Sequence, residues 1–293
     1  MMNNIRCIKR ARVLGYCMGV QKAVDAVLQA LTQHPDKRIY TYGPLIHNPV
    51  TMQVLAQKGV RILDTERALR KQLEPHSVVV IRAHGIAPEK RQEIQDCGAM
   101  LIDATCPHVV ASQRQAARYA KNGYTVILAG DKNHGEIIGI TGYVRAVPGS
   151  RCIIIHTAAE ASALTPIAGQ AVLLAQTTMK RLEYHAIAQI LVKKQPQVCV
   201  LETICAATDE RQRSLQELAQ QVEALLIIGG KNSANTQRLL QTARAEGKPA
   251  WIAETIDDIP SALFQYHTVG LSAGASTPAL SIDSIEAFLT QQH

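Results

Sequence analysis

The chain has 293 residues, 47% apolar and 19% charged, which predicts two or three packed domains or one elaborate α/β domain and rules out wholesale disorder. The longest apolar runs, such as Val78-Val79-Val80-Ile81, are strand-length, far short of the roughly 18 residues of a membrane helix, and the first residues carry no apolar signal-like stretch, so a cytoplasmic protein without membrane contact is expected. A net charge of +7 favours anionic partners, but it is spread along the chain and only 4% of residues are aromatic, so a small phosphorylated ligand is expected and nucleic acid is not.

Short β-rich runs alternate with helical patterns, as in parallel sheets built from βαβ units. Cys17 stands in Leu14-Gly15-Tyr16-Cys17-Met18-Gly19-Val20, ahead of a helical pattern over 21–31. A strand from Ile39 then leads to His47, and a strand from Val78 leads to His84. The next strand, over 100–105, ends at Cys106 before a helix over 109–121; strands from Val126 and Val172 then lead to His134 and Thr177. A strand over 198–204 ends at Cys205 before a helix over 210–222, and strands from Leu225 and Thr268 lead to Ser233 and Ser276.

The spacings repeat. His47, His134 and Ser233 follow their cysteines by 30, 28 and 28 residues, and His84, Thr177 and Ser276 by 67, 71 and 71. This predicts three copies of one α/β unit, over 14–105, 106–203 and 204–293, with 1–13 packed on the last. The expected fold is α/β: three small parallel-sheet lobes about a pseudo-threefold axis, a trefoil around a central cavity. Ligands of open parallel sheets sit beyond the carboxyl ends of the strands. Three lobes about an axis would therefore bring the three cysteines to one point, ringed by the six polar residues.

Seven cysteines with no CxxC pair, in a reducing compartment, argue against a disulfide framework. Three converging thiolates call for a soft cation, and spacing leaves both zinc and an iron–sulfur cluster open. Cys7, Cys97, Cys152 and Cys199 are expected as small buried hydrophobes. His47, His84 and His134, with Ser233, Asn235 and Ser276, supply donors for a phosphate or diphosphate, and Gly229, Gly230 and Gly274 allow close backbone approach. Glu136 lies two residues after His134; beside a bound anion it would hold its proton more tightly, which suits a proton donor. Thr177 is suited to orient a water or hydroxyl.

Several segments together resemble one family. They are Gly15-Tyr16-Cys17-Met18-Gly19-Val20, Gly43-Pro44-Leu45-Ile46-His47-Asn48-Pro49, Arg82-Ala83-His84-Gly85, Asp103-Ala104-Thr105-Cys106-Pro107 and His134-Gly135-Glu136. Gln176-Thr177-Thr178, Thr203-Ile204-Cys205-Ala206-Ala207-Thr208 with Arg211-Gln212, Lys231-Asn232-Ser233-Ala234-Asn235 and Ser272-Ala273-Gly274-Ala275-Ser276-Thr277-Pro278 complete the set. In this order they resemble the 4-hydroxy-3-methylbut-2-enyl diphosphate reductase (IspH/LytB) family.

The resemblance implies a trefoil of three α/β lobes holding an oxygen-sensitive 4Fe-4S cluster on Cys17, Cys106 and Cys205, with one iron open. It implies an enzyme that removes the allylic hydroxyl of (E)-4-hydroxy-3-methylbut-2-enyl diphosphate by two-electron reduction. The products are isopentenyl and dimethylallyl diphosphates, the last step of the non-mevalonate isoprenoid pathway. Electrons come from ferredoxin or flavodoxin, and the enzyme is a monomer or weak dimer. By motif match, His47, His84, Ser233, Ala234, Asn235 and Ser276 hold the diphosphate and His134 assists them. Glu136 relays protons, and Thr177 orients both the hydroxyl and Glu136.

Two positions depart from the family pattern. The usual Ser-Ser-Asn reads Ser233-Ala234-Asn235, and the usual His-Pro-Glu reads His134-Gly135-Glu136, which loosens the backbone carrying the proton donor. The alternative reading is therefore a divergent cluster-bearing paralogue with weak or different activity on a related diphosphate. In that case Ala234→Ser and Gly135→Pro should raise turnover.

Overall fold

The computed structural model describes residues 4–46, 48–231 and 233–291, so His47 lies outside the described residues. The chain begins with β1 (Cys7–Arg10) and α1 (Met18–Gln33). Then come β2 (Ile39–Tyr42), α2 (Pro49–Gln57), β3 (Arg61–Leu63), β4 (Val78–Ile81), α3 (Pro88–Asp96) and β5 (Met100–Asp103). The middle of the chain forms α4 (Pro107–Lys121), β6 (Thr125–Ala129), α5 (Gly135–Arg145), β7 (Arg151–Ile155), α6 (Ala158–Ala163), β8 (Ala171–Ala175), α7 (Arg181–Lys194) and β9 (Cys199–Val200). The remainder is α8 (Ala206–Ala219), β10 (Ala224–Ile228), α9 (Ala234–Ala245), β11 (Ala250–Ala253), β12 (Thr268–Ala273) and α10 (Ala279–Gln291).

These strands build an α/β fold of three four-stranded, wholly parallel sheets, ordered β3-β2-β4-β5, β7-β6-β8-β9 and β11-β10-β12-β1. One arrangement recurs three times. Two central strands carry the polar loops, the strand lying between them in sequence takes one edge, and the strand leading to a cysteine takes the other. For Cys17 that last strand is β1, which pairs with β12 from Cys7↔Thr268 to Arg10↔Leu271.

The central strands are mostly apolar because both of their faces are covered. Side chains alternate between faces with period two. Val126, Leu128, Val172 and Leu174 pack against Ala116 and Ala120 of α4 and Ile137, Ile140 and Val144 of α5. Ile127, Ala129, Leu173 and Ala175 pack on the opposite side against Tyr184, Ile187 and Leu191 of α7. Likewise Leu225 and Ile227 meet α8 and α9 through Leu215, Leu218 and Leu239, while Leu226 and Ile228 share a core with Ile282, Ile285 and Leu289 of α10. Full burial of a Val, Leu or Ile contributes about 1.5–3 kcal/mol, more than the roughly 1 kcal/mol span of strand propensity. Packing therefore decides these elements.

At the edges the sequence-based limits shift. The strand over 100–105 ends at Asp103, whose Oδ1 accepts the Thr105 N–H at 2.9 Å and turns the chain toward Cys106. The strand over 198–204 is reduced to Cys199–Val200. Further on, Thr203 replaces the ladder with its side chain: Oγ1 accepts from Ala175 N–H and donates to Ala175 O, each at 2.8 Å. Cys7 is exposed on the edge strand β1, so it is not a buried hydrophobe; Cys97, Cys152 and Cys199 are half-buried at the margins of the cores.

The chain divides into two compact units. The first comprises Met1–Gln21, Ile46–Gly59 and Ala206–His293 and contains the β11-β10-β12-β1 sheet. The second comprises Lys22–Leu45 and Val60–Cys205 and contains the other two sheets. Residues 14–105 are thus shared between the units. Among the described residues no helix is long and apolar enough to cross a membrane.

Candidate active site

Each of the three cysteines stands one residue before a helix: Cys17 before α1, Cys106 before α4 and Cys205 before α8. In the second unit, the Cys106 N–H donates to Ala83 O at 3.0 Å and the Cys205 N–H to Thr177 O at 2.8 Å. In the first unit, the Cys17 N–H donates to Ala275 O at 3.1 Å. The acceptors lie in the loops after β4, β8 and β12, at or beside His84, Thr177 and Ser276. The same bond, made three times, fastens each cysteine to the loop bearing the second polar residue of a repeat.

The first polar residues cap helices. His134 caps α5, its Nδ1 accepting the Glu136 N–H at 3.2 Å, and Ser233 caps α9, its Oγ accepting the Thr236 N–H at 3.4 Å. In the remaining repeat Asn48 caps α2, with Oδ1 accepting the Thr51 N–H at 2.9 Å. Asn48 was not singled out in the sequence beyond its place in a family segment. A neutral imidazole that accepts at Nδ1 carries its proton on Nε2 and offers it as a donor. The His84 ring meets the His134 ring edge-on, with centroids 4.7 Å apart.

Glu136, in the first turn of α5, is 1% exposed. Its Oε1 accepts the Thr177 N–H at 2.7 Å and its Oε2 accepts the Thr177 hydroxyl at 2.8 Å. Burial pushes the carboxyl pKa up to about 7, against the restraint of those two bonds. Through Thr177 the carboxyl is linked to the backbone of Cys205. The second unit thus gathers His84, His134, Glu136, Thr177, Cys106 and Cys205.

The first unit holds Cys17, Ser233, Asn235 and Ser276, with Ala234 opening α9. The Asn235 Nδ2 is buried without a hydrogen-bond partner. At Gly229 and Gly274 an added side chain would run into threonine. A Cβ at Gly229 would lie 2.8 Å from Thr236 Oγ1, and one at Gly274 would lie 2.5 Å from the same atom.

Gly85 requires glycine for two reasons. Its φ is +69°, and an added Cβ would come within 2.4 Å of Gln113 Nε2 and 3.0 Å of Thr105 Cγ2. Gly85→Ala is therefore expected to cost about 2–4 kcal/mol, combining a left-handed backbone with overpacking. A urea-unfolding midpoint unchanged from the parent would refute this.

Among the described residues no three His, Cys, Asp or Glu side chains are gathered closely enough to hold a metal ion as a group. None of the seven cysteines is in a disulfide. Cations flank two of the three candidate ligands. The Arg211 guanidinium, 2% exposed, donates to Ala273 O at 3.1 Å; burial lowers its pKa while the nearby Cys17 sulfur pulls it back up. The Lys22 ammonium donates to Thr105 O at 2.8 Å, next to Cys106.

The model of the family described as LytB protein matches residues 8–290. The chain is 50% identical to the 4-hydroxy-3-methylbut-2-enyl diphosphate reductase of Treponema denticola, over 97% of this chain and 99% of that one. It is 45% identical to the protein of the same name from Treponema pallidum, over 98% of this chain and 85% of that one. A solved structure of (E)-4-hydroxy-3-methyl-but-2-enyl diphosphate reductase, the terminal enzyme of the non-mevalonate pathway, matches with a TM-score of 0.78 at 34% identity, over 98% of this chain and all 100% of that one. The corresponding reductase from Plasmodium falciparum, at 24% identity and a TM-score of 0.84, shares the fold over 98% of this chain and 88% of its own. With a family match running almost from end to end and relatives at this level of identity, the chain belongs to the LytB protein family.

Proposed function

We propose that the protein is a 4-hydroxy-3-methylbut-2-enyl diphosphate reductase. It removes the allylic hydroxyl of its substrate as water, taking up two electrons and two protons, and yields isopentenyl and dimethylallyl diphosphates. The reaction is the last step of the non-mevalonate isoprenoid pathway, carried out in the cytoplasm with ferredoxin or flavodoxin as electron donor. The observation that carries this reading is the thrice-repeated bond from a cysteine N–H to the loop of His84, Thr177 or Ser276.

Cys17, Cys106 and Cys205 are the ligands of a 4Fe-4S cluster with one open iron. The donor set fits such a group: three soft thiols, each one residue before a helix. Buried Arg211 beside Cys17 is a cation that an anionic centre would compensate. When bound, the cluster supplies electrons one at a time and a Lewis-acidic iron for the allylic oxygen.

The chain's own residues do the rest. His84, His134, Ser233, Asn235, Ser276 and His47 donate to the diphosphate, and the backbone at Ala234 adds the field of the α9 N-terminus. The orphaned Asn235 Nδ2 finds its acceptor in a diphosphate oxygen. Glu136, protonated in good part near neutral pH, passes its proton to the departing hydroxyl, and Thr177 holds both in line. The chain is read as three repeats of one α/β unit, 14–105, 106–203 and 204–293 with 1–13, in a monomer or weak dimer. The strand order common to the three sheets supports this arrangement.

Anaerobically purified protein is expected to be brown, to hold about four irons per chain and to convert the hydroxy-diphosphate with a chemical reductant. Colourless protein that retains a single zinc after cluster reconstitution would overturn the assignment.

A further inference from the structure

We infer that Arg82 is a positioning residue of this site, holding the turn that carries His134 and Glu136, and that residue 135 must be glycine for it to do so. The inference rests on the function proposed above. Arg82 leaves the end of β4 two residues before His84. Its guanidinium lies between two stretches of backbone. A Cβ on Gly43 would stand 3.2 Å from Nη1, and a Cβ on Gly135 would stand 2.4 Å from Nη2, well inside van der Waals contact. The Arg82 Nε is buried without a hydrogen-bond partner, and burial pulls the guanidinium pKa down with only Tyr42 pulling the other way. The cation is therefore held by packing.

Gly135 opens α5, with His134 before it and Glu136 after it. The guanidinium is thus one of the surfaces on which the turn bearing both side chains rests. Local rules alone would favour proline here. The first position of a helix suits proline, and His134, with φ −76° and ψ 136°, already has the extended backbone that a following proline requires. Arg82 stands in the way, supplying the three atoms nearest an added Cβ, and its other nitrogen already meets Gly43. The expectation that Gly135→Pro raises turnover is therefore reversed: in this chain glycine and Arg82 are complementary parts of one packing.

The test measures the effect of Gly135→Pro in two backgrounds, the parent and Arg82→Ser, using the cluster-loaded protein. Turnover of the hydroxy-diphosphate, inhibition by inorganic pyrophosphate and the thermal midpoint are read for all four proteins. In the parent background Gly135→Pro is expected to lower kcat/KM at least tenfold and weaken pyrophosphate inhibition at least threefold. In the Arg82→Ser background both effects should shrink to less than threefold. Equal effects in the two backgrounds would overturn the inference. So would coupling confined to the thermal midpoint, which is the mark of a merely structural pair. If the parent does not turn over substrate yet pyrophosphate inhibition of cluster reoxidation shows the coupling, the reductase assignment fails and the positioning role stands.

Discussion

Glu136→Gln is expected to cut turnover by orders of magnitude while making the protein more stable at pH 8. The carboxyl is almost fully buried, and its pKa is raised from the usual value near 4.5 to about 7. Below pH 4.5 both the folded and the unfolded chain hold the proton, and the group contributes no difference. As pH rises, the unfolded chain releases its proton first, so stability falls steadily until the folded carboxyl also ionises near 7. The penalty is then complete at about 3 kcal/mol, the free-energy equivalent of a carboxyl pKa raised from near 4.5 to about 7. Glutamine is neutral throughout. Its Oε1 can still accept the Thr177 N–H, and its amide can donate to the Thr177 hydroxyl, so the packing survives. The parent and the variant should therefore have similar urea midpoints at pH 4.5 and diverge as pH rises to 8, with the variant the more stable. Turnover should drop by about 10²–10⁴, the usual worth of a positioned acid, and parent turnover should itself decline as pH passes 7. A stability difference independent of pH, or turnover retained in the variant, would remove Glu136 from the role of proton donor.

What the sequence revealed and what it concealed follow from burial. Central strands such as Val78–Ile81 and Ala171–Ala175 are covered on both faces and appear as unbroken apolar runs. The edge strand Arg61-Ile62-Leu63 has only its last residue buried, carries a charge and is three residues long, so no periodicity marks it. Residues 1–13 were expected to pack on 204–293, but the strand pairing of β1 with β12 and its register were beyond local reading, because the partners lie at opposite ends of the chain. With it went the finding that the backbone of Cys17 is fastened beside Ser276. The polar positions after the central strands were legible because their offsets recur. The sequence suggested a tightly held proton on Glu136 through a neighbouring anion, whereas burial raises its pKa in the folded chain. That burial was not legible, nor was the confinement of Arg82 by Gly43 and Gly135, since both arise only on folding. A glycine in place of proline looks like loosening in one dimension and like a fitted surface in three.

Cys17→Ser, Cys106→Ser and Cys205→Ser are each expected to lose the bound iron and the turnover, whereas serine at Cys7, Cys97, Cys152 or Cys199 should leave both in place. A cluster prefers soft thiolate, and a serine alkoxide is a harder and far more basic ligand. With only three protein ligands proposed, loss of one leaves no reserve. The other four cysteines lie in different surroundings. Cys7 is exposed, so its replacement should change stability by no more than about 0.5 kcal/mol. The Cys152 thiol is raised in pKa chiefly by burial, the condition of an inert structural thiol, and the Cys199 sulfur is within 3.4 Å of the Tyr119 hydroxyl at the margin of a core. Serine at either should cost about 1 kcal/mol of stability through a buried hydroxyl, with iron content unchanged. The two groups of variants thus separate by readout: iron per chain and the electron paramagnetic signal of the reduced protein for the first three, the unfolding midpoint alone for the others. A Cys106→Ser protein that reconstitutes to the iron content of the parent would break the proposed ligand set, as would a Cys152→Ser protein that folds normally but holds no iron.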